Sequence, residues 1–113
     1  MLPKVLIAAS VKPIMLAILA QDGESYGYEI IQRIHNLSDG KIQWTAGTLY
    51  PVLHRLETEG LVESMWRKPD GGRRRKYYRL TTQGEAAMST EKQQWMDVNA
   101  VLVRLWGPDL ALR

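Results

Sequence analysis

The 113-residue chain has the length of one domain, and its 45% hydrophobic and 24% charged residues are a globular rather than a disordered composition. The absence of cysteine excludes disulfide frameworks and thiolate metal sites and suits a reducing compartment. The formal charge is only +3, yet from Arg67 to Arg79 seven basic residues stand against Asp70 alone, a net +6 on a body whose remaining 8 basic and 11 acidic groups sum to −3.

Such a patch attracts a polyanion, because neutralised phosphates release their counterions. The plain alternative is a solvated charged turn. A core this small buries only about two thirds of the unfolded surface, so oligomerisation is an expected source of stability.

In chain order, Met1 to Ala20 has the outline of an export signal, with Lys4 ahead of an apolar run and small residues at Ala17 and Ala20. Lys12 and Pro13 divide that run into two short pieces, and Ile14, Leu16, Ala17 and Leu19 suit a buried helix. The expectation is therefore a core helix of a cytoplasmic protein, with no membrane span. After the Asp22-Gly23 turn, Ser25 is the expected N-cap of a second helix over about Tyr26–Leu37, where Tyr26, Ile30, Ile31, Ile34 and Leu37 recur at helical spacing.

Thr45 caps a third segment that runs to Glu59. Leu49, Val52, Leu53 and Leu56 fall at i, i+3, i+4 and i+7 and form its core face, while Thr48, Tyr50, Pro51, His54 and Arg55 project elsewhere. Pro51 is tolerated if it lies in the first turn, and Gly60 closes the helix.

From Leu61 the period becomes alternating, with Val62, Ser64 and Trp66 on one side of a strand. Pro69-Asp70-Gly71-Gly72 supplies a turn, and Arg74 to Leu80 returns as a second strand. Three helices followed by a hairpin with a basic tip predict a winged helix-turn-helix. Thr82 opens a last helix to Trp106, about 25 residues or roughly 37 Å, stopped by Gly107-Pro108. Met88, Trp95, Val98, Leu102 and Leu105 advance along it as a heptad seam.

The predicted fold is thus mainly α with a small β-hairpin. Residues 1–81 form a winged helix-turn-helix DNA-binding domain, and residues 82–113 a C-terminal dimerisation helix in one structural unit with it. So long an amphipathic helix after so small a domain calls for a homodimer; the alternative folds it back on its own domain.

Three ordered stretches now carry a resemblance. They are Ser25-Tyr26-Gly27-Tyr28-Glu29-Ile30, then Gly47-Thr48-Leu49-Tyr50-Pro51-Val52-Leu53-His54-Arg55-Leu56-Glu57 with Glu59-Gly60-Leu61-Val62, then Gly72-Arg73-Arg74-Arg75-Lys76-Tyr77-Tyr78-Arg79-Leu80-Thr81 with Gly84. Over nearly its whole length the chain resembles PadR-family transcriptional regulators of the compact subfamily, similar to multidrug-responsive repressors. The resemblance implies a dimeric winged-helix repressor whose N-terminal and C-terminal helices build the dimer. Arg74 is an addition to the usual wing run, and Lys12-Pro13 interrupts the first helix.

On this reading the third helix enters the major groove with Thr48, Tyr50, His54 and Arg55 toward DNA, Arg55 presenting a forked donor to phosphate or guanine. Ala46 and Gly47 let the helix start approach the backbone, and Arg73, Arg74 and Lys76 of the wing contact phosphates or enter the minor groove. The alternatives are a half-buried Tyr50 and a merely solvated His54, and of Tyr77 and Tyr78 one belongs to the core and the other lies near DNA. A dimer displays two such helices, which implies a pseudo-palindromic operator in double-stranded DNA.

Trp95, mid-seam, would meet its counterpart in a crossing pair of helices, where two indoles sandwich a planar aromatic or hydrophobic effector. Met88 would supply an adaptable wall, and Glu91 and Asn99 polar selection. The alternative is a Trp95 that serves only as a packing anchor.

Enzyme chemistry is not expected, since His35 and His54 lie on different helices, without cysteine, triad spacing or a phosphate loop after a strand. No metal or cofactor is implied. The competing function is a winged-helix protein-interaction module without specific DNA binding, which predicts little salt-dependent affinity for DNA.

Overall fold

A computed structural model describes residues 2–107, so Pro108 of the predicted helix stop and the end of the 82–113 unit lie outside the described residues. The elements run α1 (Lys4–Asp22), β1 (Glu24–Tyr26), α2 (Gly27–Leu37), α3 (Ala46–Thr58), β2 (Val62–Arg67), a 3-10 turn (Pro69–Gly71), β3 (Arg75–Leu80) and α4 (Thr82–Trp106).

Helix α1 corrects the expectation of a divided first segment, for it is continuous through Pro13. Proline removes one N–H from the helix interior, and burial of Val11 before it and Met15, Leu16, Ile18 and Leu19 after it holds both halves in one line. By length and composition α1 is apolar enough to cross a membrane. Here its apolar side packs against α4 and β3.

The second correction concerns Ser25. It is not a helix cap but the middle residue of β1, paired with Tyr78, and its hydroxyl donates to the Glu29 carboxylate at 2.6 Å. Tyr26 takes the cap position of α2 without a side-chain hydrogen bond. The sheet therefore has three antiparallel strands in the order β1-β3-β2, one more than the predicted hairpin.

Thr45 caps α3 as predicted, its hydroxyl accepting from the Thr48 N–H at 3.3 Å. Leu49, Leu53 and Leu56 are buried and Val52 packs against them. Pro51 lies in the second turn of α3, not the first. Beyond the helix Gly60 adopts φ 80°, and this left-handed residue lets the Leu61 N–H return to the Leu56 carbonyl at 2.9 Å, closing the helix in the way glycine allows.

Helix α4 spans the predicted residues, but its cap is Thr81 rather than Thr82. The Thr81 hydroxyl accepts from the Gly84 N–H at 3.0 Å and donates to the Gly60 carbonyl at 2.6 Å, while the Thr81 N–H reaches the Leu61 carbonyl at 3.1 Å. The first turn of α4 is thereby fastened to the exit of α3. The N-terminal half of α4 lies along α1, where Lys12 and Glu91 pair at 3.8 Å.

Beyond that point α4 projects. Val98, Val101 and Leu105 are 56%, 57% and 76% exposed, and among the described residues of the helix Gly84 alone is fully buried. The radius of gyration is 15.6 Å, against about 13 Å for a compact chain of this length.

Candidate nucleic-acid interface

The buried leucines of α3 turn its opposite side outward. Thr48, Tyr50, His54 and Arg55 are all exposed, as the sequence predicts. They do not form one cluster. Residues two apart on a helix point away from each other, so Thr48 and Tyr50 flank opposite edges of the exposed face, Thr48 with Arg55 and Tyr50 with His54.

Tyr50 is 46% exposed. Its ring is seated against the start of α2, where a β-carbon on Gly27 would stand 2.2 Å from the Tyr50 hydroxyl. Gly27 therefore has to lack a side chain for Tyr50 to occupy this place. At Gly47 an added β-carbon would meet only the Thr45 hydroxyl, at 3.6 Å, so the start of α3 is open toward its surroundings.

The wing redistributes the basic run. Arg67 pairs with Glu24, Arg79 with Glu63, and Lys76 with Glu57 at 3.8 Å. Among the described side chains, Arg73, Arg74 and Arg75 have no carboxylate partner. Arg74 instead lies over the Trp66 ring at 4.9 Å from its centroid, and Arg75 over Tyr26 at 4.5 Å. Lys76 is half-buried over the Tyr78 ring. Three consecutive guanidinium groups without a described carboxylate partner thus stand where the chain enters β3.

Between this segment and α3 lies a cleft of about 560 Å³, lined by Tyr28, Tyr50, Trp66, Arg73, Arg74 and Arg75 among others. Of these, Tyr28, Trp66 and Arg75 are not singled out as site residues by the sequence. The signal for Trp66 is its alternation with Val62 and Ser64; the signal for Arg75 is hidden in a run of like charges.

Of the two adjacent tyrosines, Tyr78 is the core residue, at 4% exposure. Burial, the Glu57 carboxylate and Tyr50 push its phenol from the ordinary 10.0 up to about 12. Tyr77 points to the other face of the sheet and meets Tyr26 edge-on at 5.3 Å.

A second, apolar groove of about 740 Å³ runs between α1 and α4. Met88 and Trp95 line it, opposite Pro13, Ile14 and Ala17 of α1 in the same chain rather than a second Trp95, with Lys92 and Met96 alongside. Trp95 is 40% exposed there. Glu91 and Asn99, expected to supply polar selection, are not among the lining residues: Glu91 is turned to Lys12, and Asn99 sits further along the projecting helix. Of the predicted seam, Leu102 is half-buried and Val98 and Leu105 are exposed.

No group of three or more His, Asp or Glu residues suited to a metal ion occurs among the described residues.

Comparison with known proteins agrees with this geometry. Residues 15–90 match the model of the transcriptional regulator PadR-like family. Transcriptional regulator Rv3488 of Mycobacterium tuberculosis is 42% identical over 74 residues, which are 66% of this chain and 65% of that protein. A transcriptional regulator from Clostridium thermocellum superposes with a TM-score of 0.81 at 30% identity, covering 92% of this chain and 97% of the other. A PadR-like transcriptional regulator from Bacillus cereus gives a TM-score of 0.80 at 27% identity, covering 91% and 97%. With its winged helix, exposed third helix and cationic wing, the chain belongs to the PadR-like family of transcriptional regulators, which are DNA-binding proteins and not enzymes.

Proposed function

We propose that this regulator is a homodimeric repressor that grips a pseudo-palindromic operator with two copies of α3 and two wings, and releases it when a planar aromatic or hydrophobic molecule occupies the groove at Trp95. The observation that carries the DNA-binding half is the cleft in which Tyr50, on the exposed side of α3, meets three arginines that have no carboxylate partner among the described side chains. Thr48, Tyr50, His54 and Arg55 read the major groove, and Arg73, Arg74 and Lys76 hold phosphates, Lys76 after giving up its contact with Glu57. A chromosomal regulator works where the chromosome is, so the compartment is the cytoplasm.

Support for the dimer comes from the exposed apolar side of α4. Val98, Val101 and Leu105 stay more than half exposed in one chain, and burying them against a second copy is favourable at roughly 25 cal/mol per Å². In this division residues 1–81 bind DNA and residues 82–113 pair the subunits. The groove beside them is nearly all apolar, which favours a hydrophobic effector over a charged one. For such a molecule to release DNA it must prefer one spacing of the two recognition helices over another.

The test is a gel-shift salt series on the DNA upstream of the chain's own coding sequence, with sedimentation of the same sample. The repressor reading expects a dimer whose affinity falls steeply with salt. A monomer that ignores the fragment in dilute buffer overturns it in favour of a protein-interaction module.

A further inference from the structure

On β2, Val62, Ser64 and Trp66 share one face of the strand, and across the ladder Ser64 stands opposite Tyr78. Val62 and Tyr78 are 2% and 4% exposed, so this is the core face of the sheet. The face continues beyond the point where the core ends, and there it carries Trp66, 57% exposed, into the cleft shared with Tyr50 of α3. A single exposed apolar residue needs no explanation by itself. Its setting supplies one: the surrounding side chains include Arg73, Arg74 and Arg75, none held by a described carboxylate, and the Arg74 guanidinium covers the indole at 4.9 Å.

An indole beside unpaired guanidinium groups suits a ligand that alternates apolar and anionic units. The deoxyribose-phosphate backbone is such a ligand, and it passes between the groove read by α3 and the groove entered by the wing. Resting on the DNA-binding reading above, we propose that Trp66 is itself a DNA-contacting residue, its ring packed on the deoxyribose of the strand that crosses the cleft while Arg74 reaches the adjoining phosphate. The two contacts differ in kind. The arginine contact releases a counterion and weakens with salt; the indole contact removes apolar surface from water and is nearly independent of salt.

The experiment measures duplex affinity over a salt series, using the full chain and the DNA upstream of its own coding sequence, for wild type, Trp66→Ala, Arg74→Gln and the double variant. Trp66→Ala is expected to weaken binding roughly five- to tenfold at every salt concentration with the slope unchanged, as removal of an aromatic platform does. Arg74→Gln is expected to weaken binding and flatten the slope by about one. The Trp66→Ala loss should persist in the Arg74→Gln background. If it vanishes there, Trp66 only props the arginine and the proposal is overturned, as it also is if Trp66→Ala binds like wild type.

Trp66→Phe provides a second measurement should the alanine variant not fold. Duplex should protect wild-type tryptophan emission from acrylamide more than it protects that of Trp66→Phe, and equal protection overturns the contact. A wild-type chain that binds no duplex is a separate outcome: it overturns the DNA-binding reading and this proposal with it, whereas a wild type that binds duplex only as well as Trp66→Ala overturns the proposal alone.

Discussion

Gly84, in the first turn of α4, rests directly on the carbonyl of Leu61: a β-carbon there would stand 1.9 Å from the oxygen and 2.9 Å from the carbon. With the Thr81 hydrogen bonds to Gly60, this contact ties α4 to the end of α3 through backbone, which cannot yield as a side-chain tip can. Gly84→Ala should therefore destabilise the fold by about 2 kcal/mol or more, because overpacking against backbone exceeds the roughly 1 kcal/mol that alanine gains in a helix. Urea unfolding monitored by circular dichroism measures the difference.

Gly47→Ala offers the opposite outcome. Its β-carbon would meet only the Thr45 hydroxyl at 3.6 Å, so stability should hold or rise slightly. Operator affinity should fall if the start of α3 approaches the DNA backbone as closely as proposed. Thermal melts and gel shifts on one preparation separate the two effects.

Neutralising Arg73 and Arg74 together should weaken binding to all duplexes and reduce the salt slope by about two, one for each phosphate no longer neutralised. Arg79→Gln, at a residue already paired with Glu63, should change the slope far less. An unchanged slope in a folded Arg73/Arg74 variant would remove the wing from the interface.

The groove at Trp95 predicts that a planar dye quenches tryptophan emission and that Trp95→Ala abolishes most of this effect. Equal quenching in the variant would exclude the site. Glu91→Gln, whose carboxylate faces Lys12 rather than the groove, should bind the dye like wild type.

Tyr78 predicts an alkaline limit to stability. Its phenol titrates near 10.0 in the ordinary case and at about 12 in the fold, so between those values the unfolded chain has lost a proton that the folded chain retains. Stability is then complete below about pH 10 and declines as pH rises toward 12. Tyr78→Phe should start with altered packing but lose less stability over that interval. Urea midpoints for both proteins at pH 8, 10 and 11 give the comparison.

Much of this architecture is local and therefore written along the chain. The spacing of Leu49, Leu53 and Leu56 identifies the buried side of α3 and, by subtraction, its outward residues. The alternation of Val62, Ser64 and Trp66 and the turn residues after Pro69 mark the wing, and the seam from Met88 to Leu105 gives the reach of α4. Periodicity reports which side of an element is apolar, and no more. It missed β1 because a three-residue strand has too few alternations to read, and its partner β3 lies far along the chain.

Which arginines find a carboxylate among the described residues and which do not was decided only by the tertiary structure. Arg67 finds Glu24 43 residues away, and Arg79 finds Glu63 across the sheet, whereas Arg73, Arg74 and Arg75 meet aromatic rings or solvent. Likewise, Glu91 belongs to Lys12 rather than to the groove because α1 lies along α4 at that level. An isolated run of like charges looks uniform in sequence. Folding distinguishes its members, because an ion pair depends on distance through space, which chain separation does not set.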